Sequence, residues 1–113
     1  MEQERRGGWV YIMADRYRGT MYVGVTAYLA ARVRQHREGE GSDFCARYGL
    51  MRLVWAERAD DILAGIEQEK RLKRWRREWK FRLVEEMNPG WADLWPELMG
   101  LDMIGPLSHL QGR

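Results

Sequence analysis

Trp9-Val10-Tyr11-Ile12-Met13 and Met21-Tyr22-Val23-Gly24-Val25 are two short runs rich in β-branched and aromatic residues. Each reads as a strand. Between them, Ala14 to Thr20 is polar and contains Gly19, a chain-reversing composition. The two runs are close enough to pair as an antiparallel hairpin. In the register that sets Tyr11 opposite Gly24 and Met13 opposite Tyr22, both tyrosines share one face as diagonal neighbours.

Outward from the hairpin, Thr26 suits the N-cap of a helix running to about Arg37, which Gly39 and Gly41 end. Residues 42–48 read as a loop or short turn, and Leu50 to Ala56 as a third strand. Ala59 to about Trp75 has helical periodicity, with Ile62, Leu63, Ile66 and Leu72 as its apolar stripe. Arg76 to Met87 continues as helix after a bend, and Asn88-Pro89-Gly90 stops it. Trp91, Leu94 and Trp95 add one more packed turn, and fraying is expected from about Gly100. The order β-β-α-β-α-α describes an α+β domain, a small three-stranded antiparallel sheet flanked by helices. The expected limits are an N-terminal extension over 1–7, a domain over 8–98 and a tail over 99–113.

The 113 residues suit one domain. With 45% hydrophobic and 32% charged residues, the chain can bury a real core. No run approaches the roughly 18 apolar residues that span a membrane. Met1 to Arg6 is polar and charged, which argues against export. The single Cys45 cannot make an internal disulfide, so the expected compartment is the cytoplasm. One cysteine and two histidines exclude a structural zinc site of Cys and His alone. The net charge is only +2, but residues 67–82 hold eight Lys/Arg against three Glu. That block is either a phosphate-contacting patch or a solvated helix face.

Some polar residues sit in odd places. Arg32 and His36 are four apart and adjoin the inward stripe of Leu29 and Val33. They are either snorkelling side chains or an inward-facing phosphate-binding pair. Glu69 falls between Ile66 and Leu72 on the helical wheel, inside the apolar arc. A carboxylate there needs a cation or a metal, because burying it alone is costly. Arg32 or another side chain could be that cation. Two tyrosines, an arginine, a histidine and a glutamate suit phosphoryl transfer if they converge. They would offer a cation for developing charge, a carboxylate for a divalent metal and hydroxyls to position water.

Val10-Tyr11, followed by Tyr22-Val23-Gly24, resembles the two halves of the GIY-YIG nuclease signature. The stretch Val25 to His36 is similar to that family's arginine-bearing helix. Tyr48-Gly49-Leu50, Leu53-Val54-Trp55, Ile66 to Lys73 and the ending around Asn88-Pro89 resemble its small standalone bacterial members. The resemblance spans about residues 8–95 and extends to the nuclease domain of the excision-repair incision subunit. It implies one divalent ion, Mg²⁺ or Mn²⁺, held by Glu69. Arg32 would stabilise transition-state charge, and Tyr11 would orient or deprotonate the attacking water. Tyr22 would hydrogen-bond the phosphate or the nucleophile, and His36 would assist proton transfer. The products would be a 5′-phosphate and a 3′-hydroxyl. Trp9 stands where the name-giving glycine would be, and no asparagine follows Glu69 at the spacing some relatives have. With a free pKa of about 10, Tyr11 is a poor base unless a cation lies close.

The expected partner is nucleic acid, with DNA favoured, in repair or recombination, and no membrane. Lys70, Lys73, Arg74, Arg76, Arg77 and Lys80 are the candidate backbone contacts. A homodimer or a separate targeting protein would supply affinity that one small domain lacks. The alternative is a binding module on the same fold with little cleavage, or an interaction module docking through Trp91, Leu94 and Trp95. Retention of all five polar positions favours the first reading over these, and their convergence in the fold tests the site itself.

Overall fold

A computed structural model describes residues 7–104, with side chains to residue 100. The strands are β1 (Gly8–Ala14), β2 (Met21–Thr26) and β3 (Arg52–Ala59). The helices are α1 (Leu29–Arg37), α2 (Asp43–Tyr48), α3 (Ile62–Arg74), α4 (Arg77–Met87) and α5 (Trp95–Ile104). The sheet is antiparallel with order β2-β1-β3. The hairpin register is the expected one, Tyr11 opposite Gly24 and Met13 opposite Tyr22. The architecture is α+β, as the sequence pattern implies.

The central strand β1 is covered on both faces, which is why its run is continuously apolar. Tyr11 and Met13 join Leu29, Val33, Leu50, Leu53, Leu94 and Leu98 in one core cluster. Val10, Ile12 and Ala14 join Val23, Val54, Trp55, Leu72, Val84 and Trp91 in the other. So α1 and α5 pack on the Tyr11 face, and α3 and α4 on the Val10 face. A register shift lies between Ile12, which pairs with Trp55, and Met13, which pairs with Leu53. Val54 is the extra residue of this bulge, so Val54 and Trp55 can both serve the second core.

Several boundaries differ from expectation. Thr26 does not cap α1. It ends β2 opposite Trp9, and its hydroxyl accepts the Tyr28 N–H at 3.0 Å, so the helix starts at Leu29. Residues 42–48 are not a loop, because Ser42 caps a short helix by accepting the Cys45 N–H. Gly49, at φ 68°, closes that helix in the left-handed conformation. Only Cys45 of the six residues is buried, so no apolar period announces the helix. Strand β3 starts at Arg52 and reaches Ala59, since Leu50 is buried in the connection instead. On α3, Leu63 is 69% exposed and does not belong to the inward stripe. Helix α3 starts at Ile62 behind an Asp61 cap. It stops at Arg74 because Trp75 and Arg76 are extended, so α4 is a separate helix. The element order is therefore β-β-α-α-β-α-α-α. Helix α5 continues to Ile104, past the expected onset of fraying. Of the two expected terminal segments, 1–6 and 105–113 lie outside the described residues.

The Asn88-Pro89-Gly90 stop is a buried anchor. Asn88 Nδ2 donates to the Val54 carbonyl at 3.0 Å and to the Ala92 carbonyl at 2.8 Å, and its Oδ1 accepts the Ala92 N–H. Beyond it, Asp93 and Leu94 bond both backbone groups of Leu53, covering the outer edge of β3. Trp91 is fully buried at φ 59°, a costly conformation for a bulky residue, and burial of its ring offsets that strain. Its Nε1–H donates to Glu85, which also receives a two-pronged Arg18 guanidinium. These donors hold the Glu85 carboxyl down at about 2.

Asn88→Ala should therefore cost about 2–3 kcal/mol, because it orphans the buried Val54 carbonyl. Asn88→Asp should cost more at neutral pH, since it turns a carboxylate oxygen toward two carbonyls. Urea denaturation of the three proteins checks both the size and the order.

Candidate active site

The site forms along β2, the edge strand where α1 and α3 approach from opposite faces. Tyr11 belongs to the central strand, yet its ring lies across β2 over Gly24. A Cβ built on Gly24 would sit 2.5 Å from both Cζ and the hydroxyl oxygen of Tyr11. The absent side chain is what lets the phenol reach the rim of the sheet.

At that rim the Tyr11 hydroxyl lies 2.9 Å from His36 Nε2, in a buried hydrogen bond. Tyr22 flanks both, its ring centroid 6.4 Å from Tyr11 and 5.5 Å from His36. Arg32, one turn before His36, donates to the Gly41 carbonyl at 3.4 Å. Glu69 approaches from α3, its side chain only 13% exposed, and pairs with Lys73 Nζ at 2.5 Å. Lys73 lies 5.8 Å over the Tyr22 ring. The five residues named from sequence thus converge, and the cation that satisfies Glu69 is Lys73. Burial and the charges of Tyr22 and Glu69 push the Tyr11 phenol well above its ordinary range, against the opposing pull of Arg32. Tyr11 is therefore a neutral phenol at physiological pH.

His36 is 1% exposed, and burial, with Arg32 alongside, lowers its pKa to about 4. The imidazole is neutral at pH 7. Its Nδ1 is buried without a hydrogen-bond partner, beneath Gly41, whose missing Cβ would stand 2.7 Å away. Buried orphan N–H groups are rarer than bare acceptors. The tautomer that avoids one carries its hydrogen on Nε2 and donates it to Tyr11. The Tyr11 O–H is then free to donate outward from the site.

The basic block divides. Lys73 and Lys80 line a shallow groove with Met21, Tyr22, Val23 and Phe44. Arg77 is engaged elsewhere, donating to the Arg18 and Gly19 carbonyls and lying over the Phe81 ring. Arg76 lies over Trp79. Lys70 and Arg74 are exposed on α3. Phe44, exposed beside Tyr22, and Tyr48, exposed beside Phe44, add two rings that the sequence does not mark as site residues. Their spacing of four on a Ser-capped helix is the signal that could have found them. No helix among the described residues is long and apolar enough to cross a membrane.

A tyrosine on each of two paired strands, a helix bearing Arg and His, and a glutamate on a later helix define a nuclease fold. The family model described as the GIY-YIG catalytic domain matches residues 7–82, and the chain belongs to that nuclease family. Among its relatives is the UPF0213 protein of Aeromonas salmonicida (strain A449), 33% identical over 107 residues, which cover 95% of this chain and 77% of that protein. The UPF0213 protein HQ_3675A of Haloquadratum walsbyi is 34% identical over 67 residues, 59% of this chain and 75% of that one. The UPF0213 protein YhbQ of Salmonella typhimurium is 30% identical over 78 residues, 69% of this chain and 78% of that one. No solved structure matches the chain.

Gly24→Ala should destabilise the protein by about 1–3 kcal/mol through overpacking against Tyr11. A double-mutant cycle isolates the cause: in a Tyr11→Ala background most of that cost should vanish. For His36, the unfolded chain binds a proton near pH 6.5 that the folded protein refuses until about pH 4. Stability should therefore be full above about pH 6.5 and fall as the pH drops toward 4. Urea midpoints at pH 7 and 5 should differ less in His36→Asn than in the wild type.

Proposed function

We propose that the protein is a divalent-metal-dependent endonuclease that hydrolyses phosphodiester bonds in DNA. The observation that carries this reading is the convergence of Tyr11, Tyr22, Arg32, His36 and Glu69 at one rim of the sheet. Their chemistry matches the task. A phosphodiester is anionic and repels an oxygen nucleophile, so its transition state needs cationic and hydrogen-bonding support fixed in advance.

The donor set fits magnesium or manganese. Magnesium is commonly held by one or two carboxylates and keeps several waters. Glu69 offers one largely buried carboxylate, and no cluster of three His, Cys, Asp or Glu that could hold a metal lies among the described residues. An ion held by Glu69 would complete its shell with water and phosphate oxygens, and Lys73 would have to yield its hold on the carboxylate. When bound, the metal supplies Lewis-acid charge at the phosphate and at water.

The chain's own residues do the rest. Arg32 places a guanidinium, which can meet two phosphate oxygens at once, against the charge that builds on phosphorus. Tyr11, held by His36, points its hydroxyl at the attacking water and orients it. Tyr22 donates to a phosphate oxygen. The water oxygen bonds to phosphorus as the bond to the 3′-oxygen breaks, leaving a 5′-phosphate and a 3′-hydroxyl. Lys73 and Lys80 hold the strand by its phosphates.

Cleavage of single-stranded, duplex and branched DNA with Mg²⁺ or EDTA tests this reading. Activity should need the metal and be lost in Glu69→Gln. Arg32→Ala should lower kcat by about 10²–10³-fold, and Arg32→Lys should not restore it. Metal-dependent cleavage that survives Glu69→Gln would refute the assignment. Binding with no cleavage of any substrate would instead favour a binding module on this fold.

A further inference from the structure

The short helix α2 presents a surface that the reaction above leaves unused. Of its six residues only Cys45 faces the core. Phe44 and Tyr48 are four apart, share one face, and are 42% and 51% exposed. Their ring centroids are 4.9 Å apart. Phe44 also lies 6.4 Å from Tyr22, at an interplanar angle of 29°. Tyr22 continues the series inward, so a row of rings leads from solvent to the Tyr11–His36 pair.

Phe44 has no polar atom that would favour exposure, and its neighbours are cationic. Lys73 and Lys80 line the same groove as Tyr22 and Phe44. Open ring faces beside fixed cations are the combination by which proteins hold single strands. The cations follow the phosphates while the rings stack the bases. A paired base is already stacked on its neighbours and cannot use such a surface. An apolar protein segment would cover the rings but offer no counter-charge to Lys80, for which, among the described residues, no ion pair stands, whereas Lys73 already faces Glu69.

We infer that Tyr22, Phe44 and Tyr48 form a stacking platform for an unpaired nucleobase next to the scissile phosphate. This rests on the nuclease reading and adds to it the strand form of the substrate. Helix α2 is fixed for the purpose at both ends, by the Ser42 cap and by Gly49. Tyr22 has two parts here, its ring belonging to the platform and its hydroxyl to the reacting phosphate.

The test is fluorescence anisotropy on the full chain in EDTA, where no metal-dependent cleavage intervenes. The probes are a short thymidine oligonucleotide, an abasic deoxyribose-phosphate strand of equal length and a blunt duplex. The wild type should bind the thymidine strand about tenfold or more tighter than the abasic one. Phe44→Leu, which keeps apolar bulk without a ring, and Tyr48→Ala should each lose most of that preference. Affinity for the abasic strand and the urea midpoint should hold. A preference that persists in both variants would overturn the platform and leave the nuclease reading intact. A wild type that binds all three probes equally would do the same. Failure to bind any probe would overturn the platform, and the nuclease reading would then stand or fall on metal-dependent cleavage alone.

Discussion

Tyr11 reaches the rim of the sheet only because Gly24 has no side chain. The strand that carries Tyr11 is buried on both faces, so a polar group on it would ordinarily be sealed in the core. With β2 bare at Gly24, the ring passes over the edge strand and brings its hydroxyl to His36, 2.9 Å away. Every other part of the site is arranged around that phenol. Helix α1 delivers Arg32 and His36 from one face, and α3 delivers Glu69 and Lys73 from the other. The close approach is thus both a packing constraint and the reason these polar side chains can meet in so small a domain.

The rest of the fold keeps this arrangement rigid. Val54 bulges so that β3 can serve both cores, and Asn88 fastens that bulge to the end of α4. Trp91 fills the second core from a strained backbone, and Glu85 ties it to Arg18 in the hairpin connection. These contacts lie on the Val10 face, away from the Tyr11–His36 pair, while the Tyr11 face has a core of its own built on Leu29, Val33, Leu53 and Leu94.

Much of this is legible in the sequence. The two apolar runs and the polar connection point to the hairpin, but a continuously apolar β1 has no alternation to fix its register, so Tyr11 opposite Gly24 is one choice among several that the sequence allows. Arg32, His36 and Glu69 are visible as polar residues on stripes that should be apolar. What escapes is whatever lacks a period or a punctuating residue. Six residues with only Cys45 turned inward cannot show helical periodicity, so α2 reads as a loop. The break between α3 and α4 has no glycine or proline, since Trp75 and Arg76 simply adopt extended angles. Leu63 fits the helical wheel but faces solvent, because the wheel records spacing and not where the sheet ends. The Lys73 partner of Glu69 is an ordinary i,i+4 pair, yet nothing in the spacing ranks it above Arg32.

Helix α2 has a consequence for how such a protein can diversify. Its ends are set by Ser42 and Gly49, and its place by one buried cysteine side chain. The other five positions face outward, outside both cores, and of these Phe44 lies against Tyr22. Substitutions there change what the protein touches at almost no cost to what holds it together. Residues of β1 have no such freedom, being enclosed on both sides. The fold thus sets an enclosed interior strand, where any change of side chain is felt by two cores, beside an outer turn whose side chains are bounded by solvent.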